Sequence, residues 1–219
     1  MKVSKSFLLF FVCVMFLNFS SWLFAQDSPK RHYLVAKIGK TDIKADKLRC
    51  LAEDKLMLMD IKKSTLSFWE TGGKTHQIIA DIKNPVDFDY ASGIIYLLHG
   101  KPGELRKIYI SSRINSPDFK KGENPVKIDS ALNLNVSFAM PSAISVDRYH
   151  RYAIVTDTGS INSINSENKA FSLKFINFRG GHILFDSYTR SVYTSDYTTK
   201  SLVKLGVDGK LDQLISNFD

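Results

Sequence analysis

The sequence predicts an all-β fold, assembled from a four-stranded unit that recurs about four times. Three observations carry that expectation. Beyond residue 30 the chain is a series of short runs rich in Ile, Val, Leu, Tyr and Thr, the composition of pleated strands. Turn signals separate them: Gly72-Gly73, Pro102-Gly103, Thr158-Gly159, Gly180-Gly181 and Asp208-Gly209. The whole pattern then repeats at a spacing of 39 residues. Four short antiparallel strands per period of about 40 residues is the signature of a β-propeller blade. The expected fold is therefore β-propeller-like, with about four blades, as a reduced ring or an incomplete version of a six-bladed type.

Residues 1–25 read as a targeting segment. Lys2 and Lys5 precede the uncharged run Phe7 to Leu17, and Leu23-Phe24-Ala25 ends on a small residue, the three parts of a secretory signal peptide. The alternative is an uncleaved anchor, because Phe7 to Ala25 is just long enough to cross a bilayer. Cleavage after Ala25 removes two lysines and no acid from a chain of net charge +8, and it removes Cys13. Cys50, in the strand-like stretch Leu48-Arg49-Cys50-Leu51, is then alone and is expected to be buried. A secreted, extracellular protein follows, and the sequon Asn135-Val136-Ser137 marks Asn135 as a glycosylation site in a eukaryotic secretory pathway. Stable membrane insertion is not expected once the segment is cut.

Residues 26–45 form an N-terminal segment in which Tyr33 to Ile38 is a spare strand able to close a ring. The repeat domain occupies 46–219. Val192-Tyr193-Thr194-Ser195-Asp196 aligns with Ala153-Ile154-Val155-Thr156-Asp157, and Ile183 to Asp186 with Ile144 to Asp147. Val86-Asp87-Phe88-Asp89 followed by Ile95 to His99 makes an earlier copy, and Leu56 to Asp60 the first. The anchors Asp60, His99, Asp157 and Asp196 are 39, 58 and 39 residues apart, and the 19-residue excess falls in the polar stretch 111–129. The next inner-strand acid would lie past Asp219, so four units are expected, closed alone, by pairing of two chains, or as a truncated relative of a six-bladed protein. Closure matters, since open sheet edges invite unwanted pairing.

Val192-Tyr193-Thr194-Ser195-Asp196 is similar to the YWTD signature of six-bladed propellers. Pro141-Ser142-Ala143-Ile144-Ser145-Val146-Asp147, followed by Ile154-Val155-Thr156-Asp157, resembles an NHL repeat. Trp is absent from every YWTD position, and His99 replaces the acid in the second copy. What the resemblance implies is architecture; a fold of this kind hosts many functions.

Composition excludes several classes. With 219 residues, 44% of them hydrophobic, and 24% charged, the chain is neither disordered nor fibrous, and 2 cysteines cannot make a disulfide scaffold. The 30 Lys and Arg are dispersed among 22 acids, without the concentrated basic stripe that nucleic acid requires. No CxxC, HExxH, GxSxG, GxGxxG or Walker-type loop is present. The leading expectation is a non-enzymatic binding or interaction protein with a protein or small-molecule ligand and no cofactor. Its candidate contact residues are Tyr149 and Tyr188, at equivalent turns, and Lys120 and Lys121 in the polar insertion. The alternative is a metal-dependent hydrolase resembling gluconolactonase-type propellers, with Asp89, Asp147 and Asp186 as ligands of a central divalent cation such as Ca²⁺. Set against it is the reading that each repeated carboxylate caps a turn at the same corner of every blade.

Overall fold

The computed structural model describes residues 45–219 apart from 53–54, 71–74, 114–117, 119, 121–122, 206–208 and 217–219. All of them belong to one compact unit, Gly39–Asp219. The targeting segment and the spare strand at 33–38 lie outside the described residues.

The chain is all-β, with antiparallel strands arranged as four consecutive blades. The first is β1 (Lys47–Ala52), β2 (Lys55–Asp60), β3 (Thr65–Glu70) and β4 (Thr75–Ile79). The second is β5 (Pro85–Ala91), β6 (Ile94–His99), β7 (Gly103–Ser112) and β8 (Val126–Phe138). The last two share one six-stranded sheet, β9 (Pro141–Val146), β10 (Tyr152–Asn165), β11 (Ala170–Asp186), β12 (Ser191–Asp196), β13 (Ser201–Leu205) and β14 (Leu211–Ser216). β11 serves both: Ala170 to Lys174 pair with β10 as the outer edge of the third blade, and Ile183 to Asp186 pair with β12 as the inner strand of the fourth. The two strands expected at 152–156 and 161–164 fall in the two halves of β10, divided by Gly159 at φ 75°. The described sheets form an open succession rather than a closed ring.

The 19-residue excess of the second repeat is taken up largely by β7 and β8, which run far longer than their counterparts and leave only residues 113–125 between them. Gly180-Gly181, expected as a turn, lies within β11 instead. The reason is crowding: a Cβ on Gly180 would sit 2.6 Å from Thr156 Cβ, and one on Gly181 would meet Ser195 and the Tyr197 ring.

The core consists of three clusters, one between each pair of neighbouring blades. Met57, Met59 and Leu66 of the first blade meet Phe88, Ile95, Leu97 and Ile108 of the second. Tyr96, Leu98, Leu105 and Phe138 meet Ile144, Val146 and Val155 of the third. Ile154 and Ile161 then meet Phe178, Phe185, Val192 and Val203. Successive residues of β6 serve alternate clusters, which is why Ile94 to Leu98 is an unbroken apolar run: side chains alternate across a strand, and here both faces are dry. The outer side of the fourth blade has no such partner among the described residues, and Leu184 there is 61% exposed. Cys50, expected in the core, is exposed. On β1 it shares a face with exposed Leu48, while Arg49 and Leu51 take the face toward the second blade.

Polar ties join the end of each blade's second strand to the segment entering that blade. Asp157 accepts the amides of Ala139 and Met140 at 2.8 and 2.6 Å, and Asp196 accepts that of Arg179 at 3.1 Å. In the second blade His99 Nδ1 lies 2.7 Å from the Lys83 carbonyl, so the imidazole makes the equivalent tie with reversed polarity. In the first, Asp46 accepts the Ile61 amide at 2.8 Å.

Candidate binding surface

In an antiparallel four-stranded blade, the first and third connections emerge at one end. Three such first connections stand side by side here: Ser92-Gly93, residues 147–151, and residues 187–190. Ser92 Oγ donates to the Arg148 carbonyl at 3.4 Å, the Arg148 amide donates to Ser187 Oγ at 3.1 Å, and Arg151 Nη2 donates to the Ser187 carbonyl at 3.5 Å.

Each turn is built around its acid. Asp147 accepts from Arg151 Nε at 2.6 Å and from the Arg151 amide at 3.3 Å, while its carbonyl accepts the His150 amide at 2.8 Å. Asp186 accepts the Tyr188 amide at 2.9 Å and Thr189 Oγ1 at 2.5 Å. Burial pushes the Asp147 carboxyl up, but hydrogen bonds from Arg151 and Ser187 outweigh it and hold the group below its ordinary value. The Thr189 hydroxyl and the Tyr188 amide hold Asp186 low as well. Backbone turns fixed in this way thrust the two tyrosines outward: Tyr149 is 61% and Tyr188 96% exposed. The guanidinium carbons of Arg148 and Arg151 each lie 5.1 Å from the Tyr149 ring centre.

Beneath the rim lies a polar cluster between the second and third blades. Tyr96 Oη is 3.1 Å from His150 Nδ1, and the two rings stack at 6.1 Å. Lys107, buried, donates to Asn168 Oδ1 at 2.7 Å and stands over the Tyr96 ring. Burial lowers the Lys107 ammonium and, with the Lys107 charge, the His150 imidazole; it pushes the Tyr96 phenol up to about 12.

The expected site residues fall in different places. Tyr149 and Tyr188 are brought together by the Arg148–Ser187 bond between their turns. Lys120 is exposed in the connection between β7 and β8, at the same end of its own blade; Lys121 lies outside the described residues. Asn135 is exposed on β8. Asp147 follows β9 and Asp186 ends β11, each at the mouth of a turn, but Asp89 is within β5 opposite Tyr96, bonded to Arg49 Nε at 3.1 Å and to the Val146 amide at 2.7 Å. Its pKa is raised by burial, with Arg49 opposing. Among the described residues, no three His, Cys, Asp or Glu side chains are grouped to hold a metal ion. Arg148 and Arg151 were not singled out from the sequence, although their place beside Tyr149 within the turn Asp147 to Tyr152 is visible there. At the same end lie a hollow of about 240 Å³ between the first two blades, walled by Leu51, Phe68, Tyr90 and Ile110, and beside it a polar one of about 610 Å³ lined by Arg113, Asn124 and Lys127.

No protein-family model matches the chain, and no curated protein matches it. Solved structures do. The catalytically inactive virginiamycin B lyase from Staphylococcus aureus with quinupristin superposes with a TM-score of 0.55 at 13% identity, over 83% of this chain and 60% of that one. A streptogramin B lyase gives a TM-score of 0.56 at 13% identity over 76% and 52%, and a nidogen/laminin complex 0.54 at 13% over 73% and 59%. These neighbours are β-propellers of the NHL and YWTD type, and the present chain is a β-propeller. It spans between half and three-fifths of their length. At such identities the likeness establishes fold alone.

Proposed function

We propose that this protein is a secreted, non-enzymatic β-propeller that binds a protein partner through the row of turns carrying Tyr149 and Tyr188. The observation that carries the reading is two highly exposed tyrosines on adjoining turns locked by Asp147 and Asp186, with Arg148 and Arg151 both set against the ring of Tyr149. Tyr and Arg are the residue types enriched among binding hot spots. Rigid display lowers the ordering cost of association. The excess of bases over acids, which survives the loss of Lys2 and Lys5 with the leader, favours an acidic partner. The nidogen/laminin neighbour, by its own description a complex between proteins, agrees in kind.

The test is a photo-crosslinking side chain placed at position 188 and, as a control, at exposed position 212, in the secreted full chain. The expected result is a discrete protein adduct from position 188 that Tyr149→Ala reduces at least tenfold and that raised salt weakens. Equal adducts from both positions, or an adduct indifferent to Tyr149→Ala, would overturn the reading.

A further inference from the structure

At the opposite end of the first two blades lies a second hollow, of about 340 Å³. Its apolar floor includes Ile82 and Leu97, and its polar wall includes Lys83, His99, Arg106 and Asn133. Arg106 projects from β7 between Leu97 on β6 and Asn133 on β8, so its position is set by two paired strands rather than by a loop. The buried Arg106 Nε has no hydrogen-bond partner among the described residues. A buried guanidinium donor left unmatched costs free energy comparable to a lost charge-assisted hydrogen bond, and such groups call for an explanation. Glu104 lines the same hollow two residues away, yet makes no ion pair with Arg106 among the described residues.

We propose that this hollow binds a small oxyanion, a carboxylate or phosphate, in the fork formed by Nε and Nη2 of Arg106. The guanidinium fork matches two oxygens of such a group and gives the orphaned donor its acceptor. Because Nε is buried, binding requires the Arg106 side chain to turn that donor toward the hollow it lines. Lys83 adds positive charge at the wall, and Asn133 a neutral donor. Glu104 and Asp81, which share the lining, oppose an anion and set the affinity to modest. His99, held by the Lys83 carbonyl at 2.7 Å, keeps the two sides of the hollow in register.

The test is the thermal midpoint of the full chain in inorganic phosphate and, separately, in acetate, each against chloride at constant ionic strength. An anion that binds only the folded state raises the midpoint by mass action. The expected result is a concentration-dependent rise in wild type that disappears in Arg106→Met, which keeps the packing stem, and in Arg106→Lys, which keeps the charge but loses the fork. Glu104→Gln should enlarge the rise. The two anion arms separate phosphate from carboxylate. No rise in either anion, or the same rise in wild type and both Arg106 variants, would overturn the proposal. So would a loss of stability in Glu104→Gln in chloride matched by Arg106→Met, since Glu104 would then be the natural acceptor. Phosphorus-31 line broadening in wild type and Arg106→Lys gives a second reading that does not depend on stability.

Discussion

Arg49 Nε lies 3.1 Å from Asp89 Oδ1, and the two residues hold the same rung of neighbouring inner strands. Arg49 faces Met57 and Asp89 faces Tyr96, each three residues before the anchor that ends its second strand, Asp60 or His99. The next residue on that rung is Ser145, facing Ile154. Asp89 accepts the Val146 amide at 2.7 Å, and Ser145 accepts the Phe185 amide at 2.9 Å. At this rung, a side chain from each of the first three blades thus reaches forward to the next. The fourth member is Leu184, facing Tyr193, which stands exposed where the succession stops.

Arg49 also donates from Nη2 to Asp87, which is 2% exposed and accepts the Ile144 amide at 3.1 Å. Arg49→Met removes the principal cation beside a buried carboxylate, because the other, Lys47, stands 3.9 Å away. Breaking one side of such a pair typically costs about 3–5 kcal/mol, and partial exposure of Arg49 puts the expectation at the lower end, about 3 kcal/mol. Urea denaturation should show that loss, and Asp87→Asn in the Arg49→Met background should recover part of it. A loss below about 0.5 kcal/mol would mean that the inter-blade tie is decorative.

Acidification should act on the cluster beneath the rim. His150 titrates below its ordinary 6.5 because burial and the Lys107 charge disfavour the imidazolium, with Asp147 opposing. A base whose folded value is lowered contributes stability that is present above the unfolded value and is lost as pH falls through the folded one. Tyr96, Lys107 and Asp147 are the groups that interact with it. The melting midpoint should therefore fall as pH drops below about 6.5, the imidazole's ordinary value, and His150→Gln should flatten that slope. An unchanged slope would assign the pH dependence elsewhere.

The 39-residue step between Asp157 and Asp196 exposes the blades because these acids sit at one corner of the fold and tie down the entering chain. The same step misplaces Asp89. The hairpin at Ser92-Gly93 is shorter than the turn after Val146, so Asp89 opposite Tyr96 corresponds to Ser145 opposite Ile154, not to Asp147. A constant ten-residue spacing hides that offset. Arg49 was illegible for a different reason: its partners are 38 and 40 residues away on another blade, and a dispersed arginine looks like surface until the strands are paired. Gly180-Gly181 misled because glycine serves both turns and close packing, and only the nearness of Thr156 and Ser195 tells which. Only the exposure of Tyr149 and Tyr188 was legible, from their place in turns two residues past an Asp.

Gly180→Ala tests that packing directly. A Cβ there would lie 2.6 Å from Thr156 Cβ and 3.0 Å from the Phe178 ring, both inside the third-to-fourth blade junction. Neither neighbour is the free end of a flexible chain, so the strand must shift, at a cost of about 1–3 kcal/mol. Thr156→Ala should relieve part of it, since it removes Cγ2, which is 2.9 Å from the same point. A neutral Gly180→Ala would show that the long strand β11 bends freely at this position.

Calcium separates the proposed binding role from the hydrolase alternative. That alternative needs Asp89, Asp147 and Asp186 to converge on one cation, yet each has its own partners: Arg49 and Val146, Arg151, and Tyr188 with Thr189. Binding a hard cation would require carboxylate oxygens to exchange these hydrogen bonds for metal contacts, with Arg49 and Arg151 repelling the ion. The expected outcome is an unchanged midpoint in millimolar Ca²⁺, Mg²⁺ or EDTA at fixed ionic strength, with Asp147→Asn lowering stability equally in all three. A midpoint that rises with Ca²⁺ in wild type but not in Asp147→Asn would mean that the turn opens to receive the ion, and lactone hydrolysis would become the activity to assay.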